Sequence, residues 1–123
     1  MKKKILIAED EEMDFYREVF EAEGYEVIHA VDGEKTVVEL TRHKPEVLLL
    51  DLRMPKVDGI EILKEMKEKK LSPGTRVIIW TGFDNYGEPE KTISENYADQ
   101  VAFYMKKPIS LDDLTAKVRQ LME

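Results

Sequence analysis

The stretch VLLLDLRMPKVDG, residues 47–59, limits what this chain can become. Val47, Leu48, Leu49 and Leu50 form an unbroken apolar run that meets a carboxylate, Asp51. Such a run, bounded by polar residues, suits a strand buried on both faces of a parallel sheet. Asp51 then stands at the strand's C-terminal end, where open α/β sheets hold their ligands. Met54-Pro55 stops any regular ladder, because proline has no N–H to donate. Asp58-Gly59 is turn chemistry ahead of a helix. Taken alone, Asp51 could simply cap a strand, so the rest of the chain has to decide its role.

The remaining apolar runs repeat the pattern. Ile5 to Ala8 reads as a first strand ending at Glu9-Asp10. Met13, Tyr16, Val19 and Phe20 follow at helical spacing, and Gly24 closes that helix. Tyr25 to Val31 mixes polar and apolar residues, as an edge strand tolerates. Asp32 can cap a second helix with Val37, Val38 and Leu40 turned inward, and Pro45 separates it from the central run. Ile60, Leu63 and Met66 give a third helix its buried stripe, with Lys64 to Lys70 as its solvated end. Beyond the turn at Ser72-Pro73-Gly74, Val77 to Trp80 is a fourth strand that delivers Thr81-Gly82. A long polar segment, Phe83 to Thr92, leads to a weakly marked helix at Ile93 to Tyr97. Val101 to Met105 is a fifth strand delivering Lys106-Lys107-Pro108. Ser110, with Asp113 three residues on, resembles a capping box for a last helix whose face is Leu111, Leu114, Val118 and Leu121.

Five strands alternating with five helices imply one α/β domain over residues 1–123: a doubly wound, flavodoxin-like (βα)5 fold with a five-stranded parallel sheet. The expected strand order is 2-1-3-4-5, with its crevice between strands 1 and 3. That order gathers Glu9, Asp10 and Asp51 in one pocket, flanked by Thr81 and by Lys106 or Lys107. Carboxylates so close repel: a pair about 4 Å apart costs roughly 1 kcal/mol in water and about 4 at an effective dielectric of 20. A hard divalent cation with oxygen ligands relieves this, and Mg²⁺ suits a site that keeps waters and takes phosphate oxygens. Carboxylate, cation, ammonium and hydroxyl together are parts for moving a phosphoryl group onto or off an oxygen.

Composition narrows the partners. The net charge of -7 argues against direct contact with nucleic acid, whose phosphates attract basic faces. There is no cysteine, which excludes thiolate metal sites and fits a reducing compartment, so the expected location is cytoplasmic. Lys2-Lys3-Lys4 before Ile5 to Ala8 looks like the start of a signal peptide, but the apolar run is too short and meets acids at once. No stretch approaches the length of a membrane span.

Four segments, ILIAEDE, LLLDLRMPKVDG, IIWTG and KKP, together resemble the response-regulator receiver domain of two-component signalling, in its order and near its spacing. That family is itself an example of the 2-1-3-4-5 order, so order and resemblance are not two independent findings. The resemblance implies that Asp51 is a phosphoacceptor, taking a phosphoryl group from a histidine kinase or a phosphotransfer protein. It implies Mg²⁺ held by Asp10, Asp51 and the backbone carbonyl of Arg53, with Glu9 reaching it through water. Thr81 and Lys107 would bind phosphoryl oxygens, leaving Lys106 as a surface charge, and the Lys107–Pro108 bond would be cis. Tyr104 stands where the family often has a switch aromatic, turning inward as Thr81 moves. Phe83 and Arg53 occupy positions that tune attack of water on the acyl phosphate. Trp80 reads as core, and His29 and His43 as surface or edge residues.

The implied protein is a signalling phosphoacceptor rather than an enzyme. Its output would be a protein contact on the face formed by the fourth helix, fifth strand and fifth helix. The chain stops soon after its last helix, so the expectation is a stand-alone receiver; one cut from a larger hybrid kinase or regulator reads the same. An aspartyl phosphatase would need a second Asp at position 53, where this chain has Arg. A module that kept the fold and lost the chemistry would not need all of Glu9, Asp10, Asp51, Thr81 and Lys107. One departure stands out: the segment between Thr81 and Lys107 is a few residues longer than the family usually has, which bears on the shape of the fourth helix.

Overall fold

A computed structural model describes residues 2–9, 14–52, 56–82 and 88–123, the side chains of Glu88 and Pro89 excepted. Strands β1 (Lys4–Ala8), β2 (Glu26–Ala30), β3 (Val47–Leu50), β4 (Arg76–Thr81) and β5 (Val101–Lys106) alternate with helices α1 (Asp14–Ala22), α2 (Gly33–His43), α3 (Gly59–Lys69), α4 (Glu88–Asn96) and α5 (Leu111–Met122). The sheet order is β2-β1-β3-β4-β5, as expected, and every pairing is parallel.

The apolar runs are continuous because both faces of the sheet are covered. Leu48 and Leu50 of β3 face one layer with Leu40, Ile62, Leu63, Met66 and Ile93, on α2, α3 and α4. Val47 and Leu49 face the other, with Phe20 of α1 and Leu114, Val118 and Met122 of α5. Strand alternation thus splits one apolar run between two cores. Trp80 is core, as read from the sequence, and is 2% exposed.

Capping fixes where three helices begin. Asp32, Asp58 and Ser110 each take an N-cap conformation and accept a bond from the backbone N–H three residues on. Gly24 has a φ of 96°, a left-handed value that favours glycine, just past α1. Gly33 is held by a close approach: a Cβ there would lie 2.0 Å from the carbonyl oxygen of Val57.

Several sequence expectations shift. Val38 is 58% exposed, whereas Thr36 is fully buried and Val37 half-buried. At 100° per residue, Gly33, Thr36, Val37 and Leu40 form one stripe and Val38 falls on the opposite side. In α3, Ile62 is buried and Ile60 only partly so. Leu63 and Met66 are buried and Lys64, Lys67, Lys69 and Lys70 exposed, as read from the sequence. In α5 the buried stripe is Leu114, Val118 and Met122, with Leu111 and Leu121 half-buried. Strand β2 is two residues shorter than Tyr25 to Val31. The largest difference is α4, which begins at Glu88 rather than Ile93. Pro89 falls in its first turn, where a missing N–H costs no helical bond, so proline there marks a start and not a loop. Met13 and residues 83–87 lie outside the described residues.

Two results follow for stability. Leu40→Ala should cost about 2–5 kcal/mol, while Val38→Ala should stay within about 0.5; urea unfolding distinguishes them. Asp32 has its carboxyl held below the usual range, first by the Lys35 N–H bond, with Lys56 adding a positive charge. Its stabilisation is therefore present above the ordinary aspartate value and fades as pH falls through the lowered one. The gap in Tm between the parent chain and Asp32→Ala should be widest near neutrality and close in acid.

Candidate functional site

Parallel pairing brings three distant segments to one lip of the sheet. Ala8 of β1 lies opposite Leu50 of β3. The residues that follow, Glu9 and Asp51, leave their strands side by side. The Asp51 N–H donates to the Ala8 carbonyl at 3.0 Å, and the Glu9 N–H donates to the Ala30 carbonyl at 3.0 Å. Both carboxylates are nearly closed off, Glu9 at 2% and Asp51 at 7% exposure. Thr81, at the end of β4, is fully buried.

Lys107 completes the cluster. Its N–H donates to the Thr81 carbonyl at 2.9 Å, which carries the β4–β5 pairing one residue past the strand. Its ammonium donates to Glu9 Oε1 at 2.7 Å and to Asp51 Oδ2 at 3.3 Å. The peptide bond to Pro108 is cis, as the resemblance implied. Lys106, one residue earlier, is exposed, so alternation sends only one of the two lysines into the pocket.

The electrostatics are those of too many acids for one base. Burial, and then the neighbouring Asp51, push the Glu9 carboxyl up to about 8 against the partial relief that Lys107 gives. Burial works to lower the Lys107 ammonium, but its bond to Glu9 and the charge of Asp51 outweigh that and raise it, so it stays charged. Glu9 Oε2 is buried with no hydrogen-bond partner among the described residues.

Asp10 and the carbonyl of Arg53, both expected to hold the metal, lie outside the described residues, as does Phe83. Among the described residues no group of three or more acidic, imidazole or thiol side chains gathers as a metal site; Glu9 and Asp51 meet as a pair at the Lys107 ammonium. Tyr104 pairs in register with Ile79, two residues before Thr81, and is half-buried. It borders a groove of about 600 Å³ between α4 and β5, together with Ile93, Ser94 and Phe103.

Sequence reasoning missed two supports of the site. The His29 ring Nε2 bonds the Glu9 carbonyl at 2.8 Å, linking β2 to the acidic lip. The parallel register, which places His29 opposite Ile7, could have suggested it. The other support is the Trp80 ring, whose face the Lys107 ammonium overlies at 4.6 Å from the centroid.

The model of the response regulator receiver domain family matches residues 5–119. The chain is a response regulator receiver domain. It is 35% identical over 124 residues to the sporulation initiation phosphotransferase F of Bacillus subtilis, covering 99% of this chain and 95% of that one. It is also 35% identical to the alkaline phosphatase synthesis transcriptional regulatory protein PhoP of the same organism, but spans only 49% of that protein's length. Among solved structures, the response regulator TrrA of Thermotoga maritima, crystallised with Mg²⁺ and BeF, superposes with a TM-score of 0.77 at 26% identity, covering 97% of this chain and 98% of that one. The receiver domain of a Francisella response regulator gives 0.82 at 28% identity, covering 98% and 96%. The receiver is thus a two-component signalling module with the doubly wound fold read from its sequence. Among the described residues no helix is long and apolar enough to cross a membrane.

The receiver's Asp51 loop depends on Gly59. A Cβ there would lie 2.8 Å from the Leu52 Cα and 3.1 Å from the Asp51 carbonyl oxygen. Gly59→Ala should therefore destabilise the fold by about 1–3 kcal/mol, the usual range for overpacking. The amide resonances of Asp51 and Leu52 should move with it in a ¹H–¹⁵N spectrum, whereas Gly74→Ala, with open space around it, should leave them in place.

Proposed function

We propose that this receiver accepts a phosphoryl group on Asp51. The single observation that carries the reading is the Lys107 ammonium held at 2.7 Å from Glu9 and 3.3 Å from Asp51. Residues from the two ends and the middle of the chain meet at one buried carboxylate, in a family whose members pass phosphoryl groups.

The donor is a phosphohistidine on a sensor kinase or phosphotransfer protein. A carboxylate oxygen of Asp51 attacks phosphorus, an O–P bond forms, and the P–N bond to the imidazole breaks with the ring nitrogen taking up a proton. The product is an acyl phosphate, and the protein acts as a signalling phosphoacceptor, cytoplasmic and without direct contact to nucleic acid. Lys107 follows the new charge from the carboxylate to a phosphoryl oxygen, and the Thr81 hydroxyl donates to another.

The donor set suits Mg²⁺. Two buried acids share the Lys107 ammonium, and Glu9 Oε2, which has no hydrogen-bond partner among the described residues, is an oxygen suited to a cation or a metal-bound water. Asp51 and Asp10, with the Arg53 carbonyl, would hold the ion and Glu9 would reach it through water. When bound it neutralises the charge that gathers on the phosphoryl oxygens.

Signalling then follows as a shift between two arrangements of Thr81 and Tyr104, favoured together by phosphate and by a downstream protein on the face of α4, β5 and α5. The groove beside Tyr104 lies on that face.

The test is labelling by radioactive acetyl phosphate with and without Mg²⁺. The parent chain should be labelled only with the ion, Asp51→Asn should lose the label, and Lys107→Ala should slow it at least tenfold. Full labelling of Asp51→Asn would sink the assignment.

A further inference from the structure

Trp80 brings a polar N–H into a core face that is otherwise largely apolar. It is 2% exposed, on the side of the sheet that faces α1 and α5, and its indole N–H is buried with no hydrogen-bond partner among the described residues. Burying an unpaired donor is unfavourable, so a core filled for stability alone would not choose it. What tryptophan offers that leucine or valine does not is a π face. That face is in use: the Lys107 ammonium lies over it at 4.6 Å from the ring centroid, within the range where cation and ring quadrupole attract. The ring is itself braced. Tyr16 of α1 meets it edge-on, with centroids 5.0 Å apart and planes at 86°.

The ammonium is therefore held on three sides, by Glu9, Asp51 and the ring. The two carboxylates are the partners that must let it go when a phosphoryl group arrives. The ring is neutral and stays behind. Lys107 is flexible and 29% exposed at its side chain, so without a wall its charge would gain by swinging to water.

We propose that Trp80 is a positioning residue for Lys107, its ring face keeping the ammonium at the sheet's lip while its carboxylate contacts are exchanged for phosphoryl oxygens. This rests on the phosphoacceptor reading above. It has an optical consequence: the ring's emission should respond as the charge 4.6 Å from it moves.

Trp80 is the chain's single tryptophan, so fluorinated tryptophans can replace it in the full-length protein without touching any other site. Fluorine drains the ring's negative face while nearly keeping its shape. Mg²⁺-dependent labelling by acetyl phosphate should slow stepwise with each added fluorine, while Tm stays level. Trp80→Leu should label about three- to tenfold more slowly and Trp80→Phe should recover part of the loss, as cation–π energies imply. In proton spectra the Lys107 ε-methylene signals should be shifted upfield by the ring and return towards free-lysine values in Trp80→Leu. A parent chain that labels, with a flat rate across the fluorinated series, would overturn the positioning role and leave the phosphoacceptor reading standing. So would an unshifted Lys107 ε-methylene in the parent chain. A parent chain that takes no label at all would remove the phosphoacceptor reading itself, and the positioning role with it.

Discussion

Ala8 stands opposite Leu50, and the site depends on that register. Parallel strands leave the sheet at the same end, so the residues that follow them emerge together. A slip of one residue would turn the side chains of β1 to the wrong faces. The register is held because Ile5, Leu6, Ile7 and Ala8 are all fully buried and divide between two cores. The acidic pair is thus positioned by hydrophobic packing several residues away from it.

Packing also explains how the lip can hold charge that it cannot balance. Glu9 and Asp51 crowd each other in a nearly closed environment, where burial pushes the Glu9 carboxyl up to about 8 and the Lys107 ammonium bonds both. The folded core supplies the free energy that keeps them there. A buried, under-compensated acid pair gains most from a cation that enters. The helices contribute through their starting points. Lys56 reaches Asp32 at 3.6 Å and ties the loop after β3 to the cap of α2, and the loop's return is set by the close packing of Gly33 on Val57.

The differences between sequence reading and structure have specific causes. Val38 is apolar and next to Val37, but a helix turns it 100° away, so adjacency misled where the stripe through Thr36 and Leu40 did not. The start of α4 was hidden because Glu88-Pro89 reads as turn chemistry, although proline suits a helix's first turn. His29 carried no local signal. Its bond to the Glu9 carbonyl exists because β2 flanks β1, which no window of sequence around residue 29 could display.

Much of the receiver was written in linear order: the buried runs, the caps at Asp32 and Ser110, the turn at Asp58-Gly59, and the strand ends that carry Asp51, Thr81 and the Lys106-Lys107 pair. Those follow from local rules, since burial pattern, capping and strand ends act over a few residues. The third dimension decided which of two adjacent lysines turned inward and that Lys107 lies on both carboxylates. It also decided that an indole face lies against the same ammonium. Those outcomes join residues 9, 51, 80 and 107, and only the pairing of strands far apart in the chain brings them within reach of one charge.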